Sequence, residues 1–266
     1  MRRTFSIILL IHLVFLGIFL PVGVNAQEEK VLSAEGNSGL MVEGRLALLA
    51  ITAYIDEQIG CMVKLLETVA TTKEAQSGKW DKVKPLLVGV EKRAVPAVIF
   101  FARPNGTYFT TEKGMIDKNI KDRPYFPAVM GGNISVGELL VSRSTGKNVT
   151  IVAVPVRVEN HVVGLLGASI YLDEINKKVL QALRLPDNMI FYAFDDNFIT
   201  ALHFRPEFIF QDPTKLRNPS LANAAKEIIA NREGHTSYQF EGKIRDVIYH
   251  TSSFTGWHIV LGVVRE

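Results

Sequence analysis

Arg123, in the run Asp122-Arg123-Pro124-Tyr125-Phe126, is the residue of this chain best suited to binding chemistry. A guanidinium is a planar fork of donors that grips a carboxylate through two parallel hydrogen bonds. Tyr125 adds a hydroxyl donor and Phe126 an apolar wall, the mixture found in small-ligand pockets. The competing role for Arg123 is an ion pair with Asp122 or another carboxylate that merely fixes a short helix. Tyr108, Ser142, Ser144 and Ser169 lie on segments that can face the same space, although strand alternation turns only about half of such positions inward.

The remaining clusters carry less. Thr145-Gly146-Lys147 is not a phosphate loop, because Val141 stands where a glycine is needed and Asn148 replaces the Ser or Thr. Its lysine reads as a solvated turn residue. Asp195-Asp196-Asn197 reads as a turn and not as a catalytic pair. His161, His203, His235, His250 and His258 lack the paired spacing of metal ligands. No catalytic residues, metal or cofactor are expected, and an enzyme is the least favoured reading. Asn105-Gly106-Thr107, Asn133-Ile134-Ser135 and Asn148-Val149-Thr150 fit the glycosylation triplet.

The elements that must position Arg123 follow from periodicity. Leu48, Ile51, Ile55, Ile59, Met62, Leu66 and Val69 recur in steps of three and four, which predicts a long helix over about 40–71. Its apolar stripe packs on the same chain or, in part, on a second subunit. Ser77-Gly78-Lys79 and Lys84-Pro85 are expected to break the helical pattern. Ala97 to Phe101 and Thr107 to Thr111 read as a hairpin around Asn105-Gly106, with both turn residues at positive φ. After the Arg123 helix come strands near 137–142, 149–158 and 162–172. The same order returns downstream: a hairpin around Asp195-Asp196-Asn197, a helix from Ser220 to Asn231 capped by Ser220, and strands over 236–240, 244–252 and 257–264. A helical segment from Asp173, ended by Pro186, joins the two halves. Arg123 has no evident counterpart in the second half.

This set of residues resembles the double Cache family, the tandem PAS-like ligand-sensing regions of chemoreceptors and sensor kinases. The resemblance rests on Asp122-Arg123-Pro124-Tyr125-Phe126, Thr145-Gly146-Lys147, Val152-Ala153-Val154-Pro155-Val156, Val163-Gly164-Leu165-Leu166-Gly167-Ala168 and the Gly256-Trp257 ending. It implies an α+β fold: a long N-terminal helix, then two PAS-like modules, each an antiparallel sheet of about five strands with flanking helices. Residues 27–95 are the lead-in and helix, 96–185 the distal ligand-binding module and 186–266 the membrane-proximal type. It also implies that the Arg123 helix lines the pocket. Cache modules that bind α-amino acids carry an aspartate on the last strand of the distal sheet. Ser169 stands there in this register, with Asp173 close enough to stay in play. A hydroxyl supplies no full charge to an ammonium, so a carboxylate without an amine is the expected ligand.

Arg2 and Arg3, the apolar run Phe5 to Leu20, Pro21 and Val24-Asn25-Ala26 form an export signal over residues 1–26, cleaved after Ala26. An uncleaved anchor is the alternative, since the run approaches the ~20 residues that span a bilayer. Export places the protein in the periplasm or outside the cell, with a membrane tether where the segment stays uncleaved. Without Arg2 and Arg3 the formal charge falls from +3 to +1, so no basic surface for nucleic acid is expected. A single cysteine, Cys61, excludes an internal disulfide but allows a bridge across a helix dimer. No second membrane segment is read. The expectation is a non-catalytic sensor for a small organic acid that signals through a separate membrane receptor or sensor kinase, with a homodimer through the long helix as a further partner. The alternatives are an assembly protein with a vestigial pocket and a secreted enzyme.

Overall fold

The computed structural model describes residues 26–265, with side chains from residue 43 onward. The export segment, residues 1–25 up to its cleavage point, lies outside the described residues. Helix α1 (Ala26–Ala70) starts earlier than the apolar stripe requires. All seven stripe residues, Leu48 to Val69, are buried in the core of this same chain. The intrachain packing therefore covers this apolar stripe along the described part of the helix. By length and composition the portion Glu43–Ala70 could cross a membrane, but its apolar face is already covered by sheet residues.

Thr72 caps the one-turn helix α2 (Lys73–Gln76) by accepting the Ala75 N–H at 3.2 Å. Helix α3 (Trp80–Glu91) corrects the sequence expectation, because Pro85 sits inside it instead of ending it. Proline forfeits one backbone bond, and the burial of Val83, Leu87 and Val90 on one face outweighs that loss.

The first sheet is built from β1 (Ala97–Ala102), β2 (Thr107–Thr110), β3 (Gly114–Asn119), β4 (Ser135–Val141), β5 (Asn148–Val158) and β6 (His161–Tyr171), with α4 (Tyr125–Met130) between β3 and β4. It has six antiparallel strands in the order β3-β2-β1-β6-β5-β4. Five were expected, and the extra one is the edge strand β3, whose residues are mostly exposed. The Asn105-Gly106 turn also differs. Only Gly106 has positive φ, at 84°, and the Asn105 side chain accepts the Thr107 N–H at 3.1 Å. The connection is thus longer and bulged, not a two-residue turn with both φ positive.

Helix α5 (Leu172–Leu183) closes on Arg184 in the left-handed conformation and leads to the second sheet. That sheet comprises β7 (Met189–Phe194), β8 (Thr200–His203), β9 (Glu233–Phe240), β10 (Lys243–Thr251) and β11 (His258–Arg265). Its five strands run β8-β7-β11-β10-β9. Helix α6 (Pro219–Asn231) follows β8 and two short 3-10 turns. Its cap is Asn218, which accepts the Leu221 N–H at 2.9 Å. Ser220, the expected cap, instead accepts the Gln239 N–H at 2.9 Å. Pro219 occupies the first helical position, where a missing N–H costs nothing and the preceding residue caps.

One face of both sheets packs with α1, α3 and α5 as a single core that includes Phe101, Leu166, Phe191 and Trp257. The opposite faces hold separate clusters, one against α4 and one against α6. Trp257 links the two sheets, its indole N–H donating to the Gly137 carbonyl at 2.8 Å. Gly137 has φ of 90°, and a Cβ there would collide with the Thr255 carbonyl oxygen. Only glycine allows so close an approach of the two backbones.

Candidate ligand-binding site

The face of the first sheet turned toward α4 carries a small cavity, about 290 Å³ with its open mouth included. Strand alternation supplies its floor: Phe100 from β1, Tyr108 from β2, Ile151 from β5 and Ser169 from β6. Gly167 lies two residues before Ser169 on the same face, and a side chain there would run into the Phe100 ring. The rim comes from the Ile120–Arg123 turn, Tyr125 at the start of α4, and the Ser142–Ser144 segment after β4.

Arg123 precedes α4 instead of belonging to it. Its Nη2 donates to the Val141 carbonyl at 2.8 Å. Among the described residues no carboxylate lies within ion-pair distance of it. Desolvation, and next the charge of Arg143, hold its pKa below the ordinary arginine value. Asp122 does not pair with its neighbour. It grips Arg143 through two bonds of 2.6 Å each, and that hydrogen bonding lowers the Asp122 pKa. Arg143 also donates to the Asn119 carbonyl.

The cavity therefore faces two guanidiniums and a set of hydroxyls, with no carboxylate or histidine among the described residues of its lining. Among the described residues the buried Tyr108 hydroxyl has no hydrogen-bond partner, and burial raises its pKa against the opposing charge of Arg123. Burial likewise pushes Tyr125 well above the usual phenol range. The Ser142 and Ser144 hydroxyls lie 3.2 Å apart. This arrangement can receive an anion and donate to it; it presents no nucleophile with an adjacent base.

Six of the seven residues singled out in the sequence, Tyr108, Arg123, Tyr125, Ser142, Ser144 and Ser169, line this cavity. Phe126 does not. It is buried in the cluster between α4 and the sheet, because consecutive helical residues point about 100° apart. Asp173 is exposed at the start of α5, away from the lining. Sequence reasoning missed Arg143, which lies in a loop with no periodic pattern. It also missed how that loop is held. The exposed β2–β3 hairpin pins it, with Lys113 Nζ from the turn before β3 donating to the Ser144 carbonyl at 2.7 Å and Lys118 Nζ from β3 to the Arg143 carbonyl at 3.2 Å. Lys147 is exposed, as its turn position suggested, and its ammonium sits 4.4 Å from the centre of the Tyr171 ring.

No family model matches the chain, and no curated protein matches it. Solved structures do. The sensory domain of the Campylobacter jejuni chemoreceptor Tlp3 with isoleucine bound superposes with a TM-score of 0.64 at 13% identity, covering 92% of this chain and 98% of that one. The ligand-binding domain of the Pseudomonas aeruginosa chemoreceptor PctB in complex with L-arginine gives 0.64 at 14% identity, over 85% and 94%. That of Pseudomonas fluorescens CtaA in complex with L-isoleucine gives 0.65 at 15% identity, over 89% and 95%. The chain has the double Cache fold. Its two Cache sheets share one core along α1, and the Arg123 cavity lies on the first of them. Among the described residues no cluster of three His, Cys, Asp or Glu side chains is placed to hold a metal ion.

Proposed function

We propose that this chain is a non-catalytic extracytoplasmic sensor whose first Cache sheet, in a module spanning residues 96–185, binds a small organic acid. The observation that carries the reading is Arg123, a guanidinium in the cavity wall whose one hydrogen bond among the described residues goes to a backbone carbonyl. A ligand carboxylate would complete its fork, with Tyr108, Ser142 and Ser144 as further donors. The lining offers no negative charge to an ammonium, which favours an acid without an amine over the amino acids bound by the proteins of similar fold. Binding would shift the population of module arrangements, and a membrane receptor or sensor kinase would read that shift. The apolar N-terminal run supports export to the periplasm or cell surface, with or without a retained tether.

Propionate, L-alanine and propylamine share a carbon skeleton and separate the two charges. Thermal melts of residues 27–266 with each should show stabilisation by propionate, since a ligand that binds only the native state raises the melting temperature. Arg123→Ala should abolish it. Equal stabilisation of Arg123→Ala by propionate, or a clear preference for L-alanine, overturns the reading.

A further inference from the structure

The second Cache sheet holds a cavity of its own, about 410 Å³ with its mouth included, on the face turned toward α6. Its walls are apolar and largely aromatic, with Phe194, Phe208, Leu216, Leu221 and Phe240 among them. Two guanidiniums enter this setting. Arg245 leaves only 8% of its side chain exposed and Arg205 29%. Each lies against a ring, Arg205 4.4 Å from the centre of Phe208 and Arg245 4.6 Å from that of Phe240.

One carboxylate, Glu241 on the β9–β10 turn, reaches both. Arg205 Nη1 donates to it at 3.0 Å and Arg245 Nη2 at 3.3 Å. Glu207 stands 4.0 Å from Arg205 Nε, beyond hydrogen bonding. Among the described residues, Arg205 Nε, Arg205 Nη2 and Arg245 Nε are buried with no acceptor. Buried donors without partners are costly, and donors on a charged group more so. The third basic group, His203, contributes no charge near neutrality. Burial, and next Arg205, push its pKa down to about 3, while its Nδ1 accepts the Arg205 backbone N–H at 2.9 Å.

We propose that this cavity is a second ligand site, for a small carboxylate with a flat apolar body, in which Arg245 and Arg205 hold the anion in competition with Glu241. The orphaned donors select for an anion with more than one acceptor oxygen. The aromatic walls select for an apolar body and against a sugar or a hydrated inorganic ion. Glu241 occupies one edge of the two forks at rest, so an incoming carboxylate must share them or move it aside. The site is separate from the Arg123 cavity and does not depend on the function proposed for that one.

A fluorine NMR titration of residues 27–266 with 4-fluorobenzoate tests this. Saturable binding is expected, weakened about tenfold or more by Arg245→Gln and unchanged by Arg123→Ala. Glu241→Gln should tighten binding severalfold, roughly threefold or more, because it removes the competing charge while keeping the side-chain length. Should Arg245→Gln fail to fold, the less buried Arg205→Gln must weaken binding where Glu241→Gln strengthens it. A merely structural role for these residues would move both variants the same way. No saturable binding up to about 10 mM overturns the proposal. So does binding lost in Arg123→Ala and kept in Arg245→Gln, which would place the probe in the first cavity.

Discussion

Each of the two cavities has a pair of arginines with a carboxylate hydrogen-bonded to it, but the connections differ. In the first, Asp122 passes over its neighbour Arg123 and gives both oxygens to Arg143, 21 residues on. Arg123 is left with a backbone carbonyl. In the second, Glu241 sits on a hairpin turn and straddles Arg205 and Arg245. A carboxylate that grips one arginine leaves the other open to a ligand without competition. One that bridges both must be shared or displaced before a ligand anion gains its full set of bonds. The position of a single acid therefore separates a cavity with one arginine left unpaired by any carboxylate among the described residues from a cavity whose two arginines share one.

The strongest way to break this comparison is to break the joint between the sheets. Trp257 is fully buried in the shared core and donates to Gly137 across it. Trp257→Ala should destabilise the chain by about 3–5 kcal/mol, the usual loss for a large core aromatic. Because one cluster runs under both sheets, urea unfolding followed by far-UV circular dichroism should stay a single transition. Two separated transitions would show that the sheets hold independently.

Next in size is the contrast within the first cavity. Arg123→Ala should weaken propionate about tenfold to a hundredfold, the range for losing a charge-assisted hydrogen bond. Asp122→Asn should act the other way and tighten it by about threefold, because Arg143 then turns a released fork toward the ligand. Titration calorimetry on the two variants checks both signs. Weakening by Asp122→Asn would mean that the Asp122–Arg143 pair shapes the cavity more than it restrains it.

Local signals made the scaffold and most of the first cavity legible. The stripe of α1 follows helical steps, and all seven of its residues are buried. Tyr108, Arg123 and Ser169 could be placed because each sits in or beside a regular element. Strand β3 was hidden because Gly114-Met115-Ile116-Asp117-Lys118-Asn119 lies on an edge with little burial and so shows no alternation. The arginines of the second cavity were missed although one left a trace. Arg245, Val247 and Tyr249 alternate along β10, and all three are buried. An arginine in phase with core residues on a strand is a signal for a buried charge. Arg205 and Glu241 left none, since only the tertiary fold brings a loop and a turn 36 residues apart to one spot.

Histidine offers a smaller and purely second-sheet signature. His203 lines the second cavity, and no histidine among the described residues lines the first. Its folded pKa of about 3 lies below the unfolded value of 6.5. Above pH 6.5 both states are neutral and stability is complete. Below it the unfolded chain takes up a proton that the folded chain refuses, so stability declines as pH falls toward 3. Between pH 6.5 and 5 the loss should be about 2 kcal/mol. His258, also lowered by burial with Asp196 opposing, steepens the same slope. Urea titrations across this range should flatten in His203→Asn, whose amide oxygen can still accept the Arg205 N–H. An unchanged slope would assign the acid sensitivity to His258 and other groups.

The mildest perturbation asks whether the two cavities can be tuned separately within one cooperative fold. Asn218 caps α6 by accepting the Leu221 N–H, and Leu221 lines the second cavity. Asn218→Ala should cost about 1 kcal/mol, too little to melt the shared core but enough to loosen the first turn of α6. Affinity for 4-fluorobenzoate should fall by about twofold to fivefold, while propionate binding at Arg123 stays level. The reason is geometric: α6 packs in the cluster on the far face of the second sheet, separate from the core that joins the sheets. Parallel loss of both ligands from Asn218→Ala would instead show that the cavities communicate through that core, and the two sheets would have to be treated as one coupled receptor.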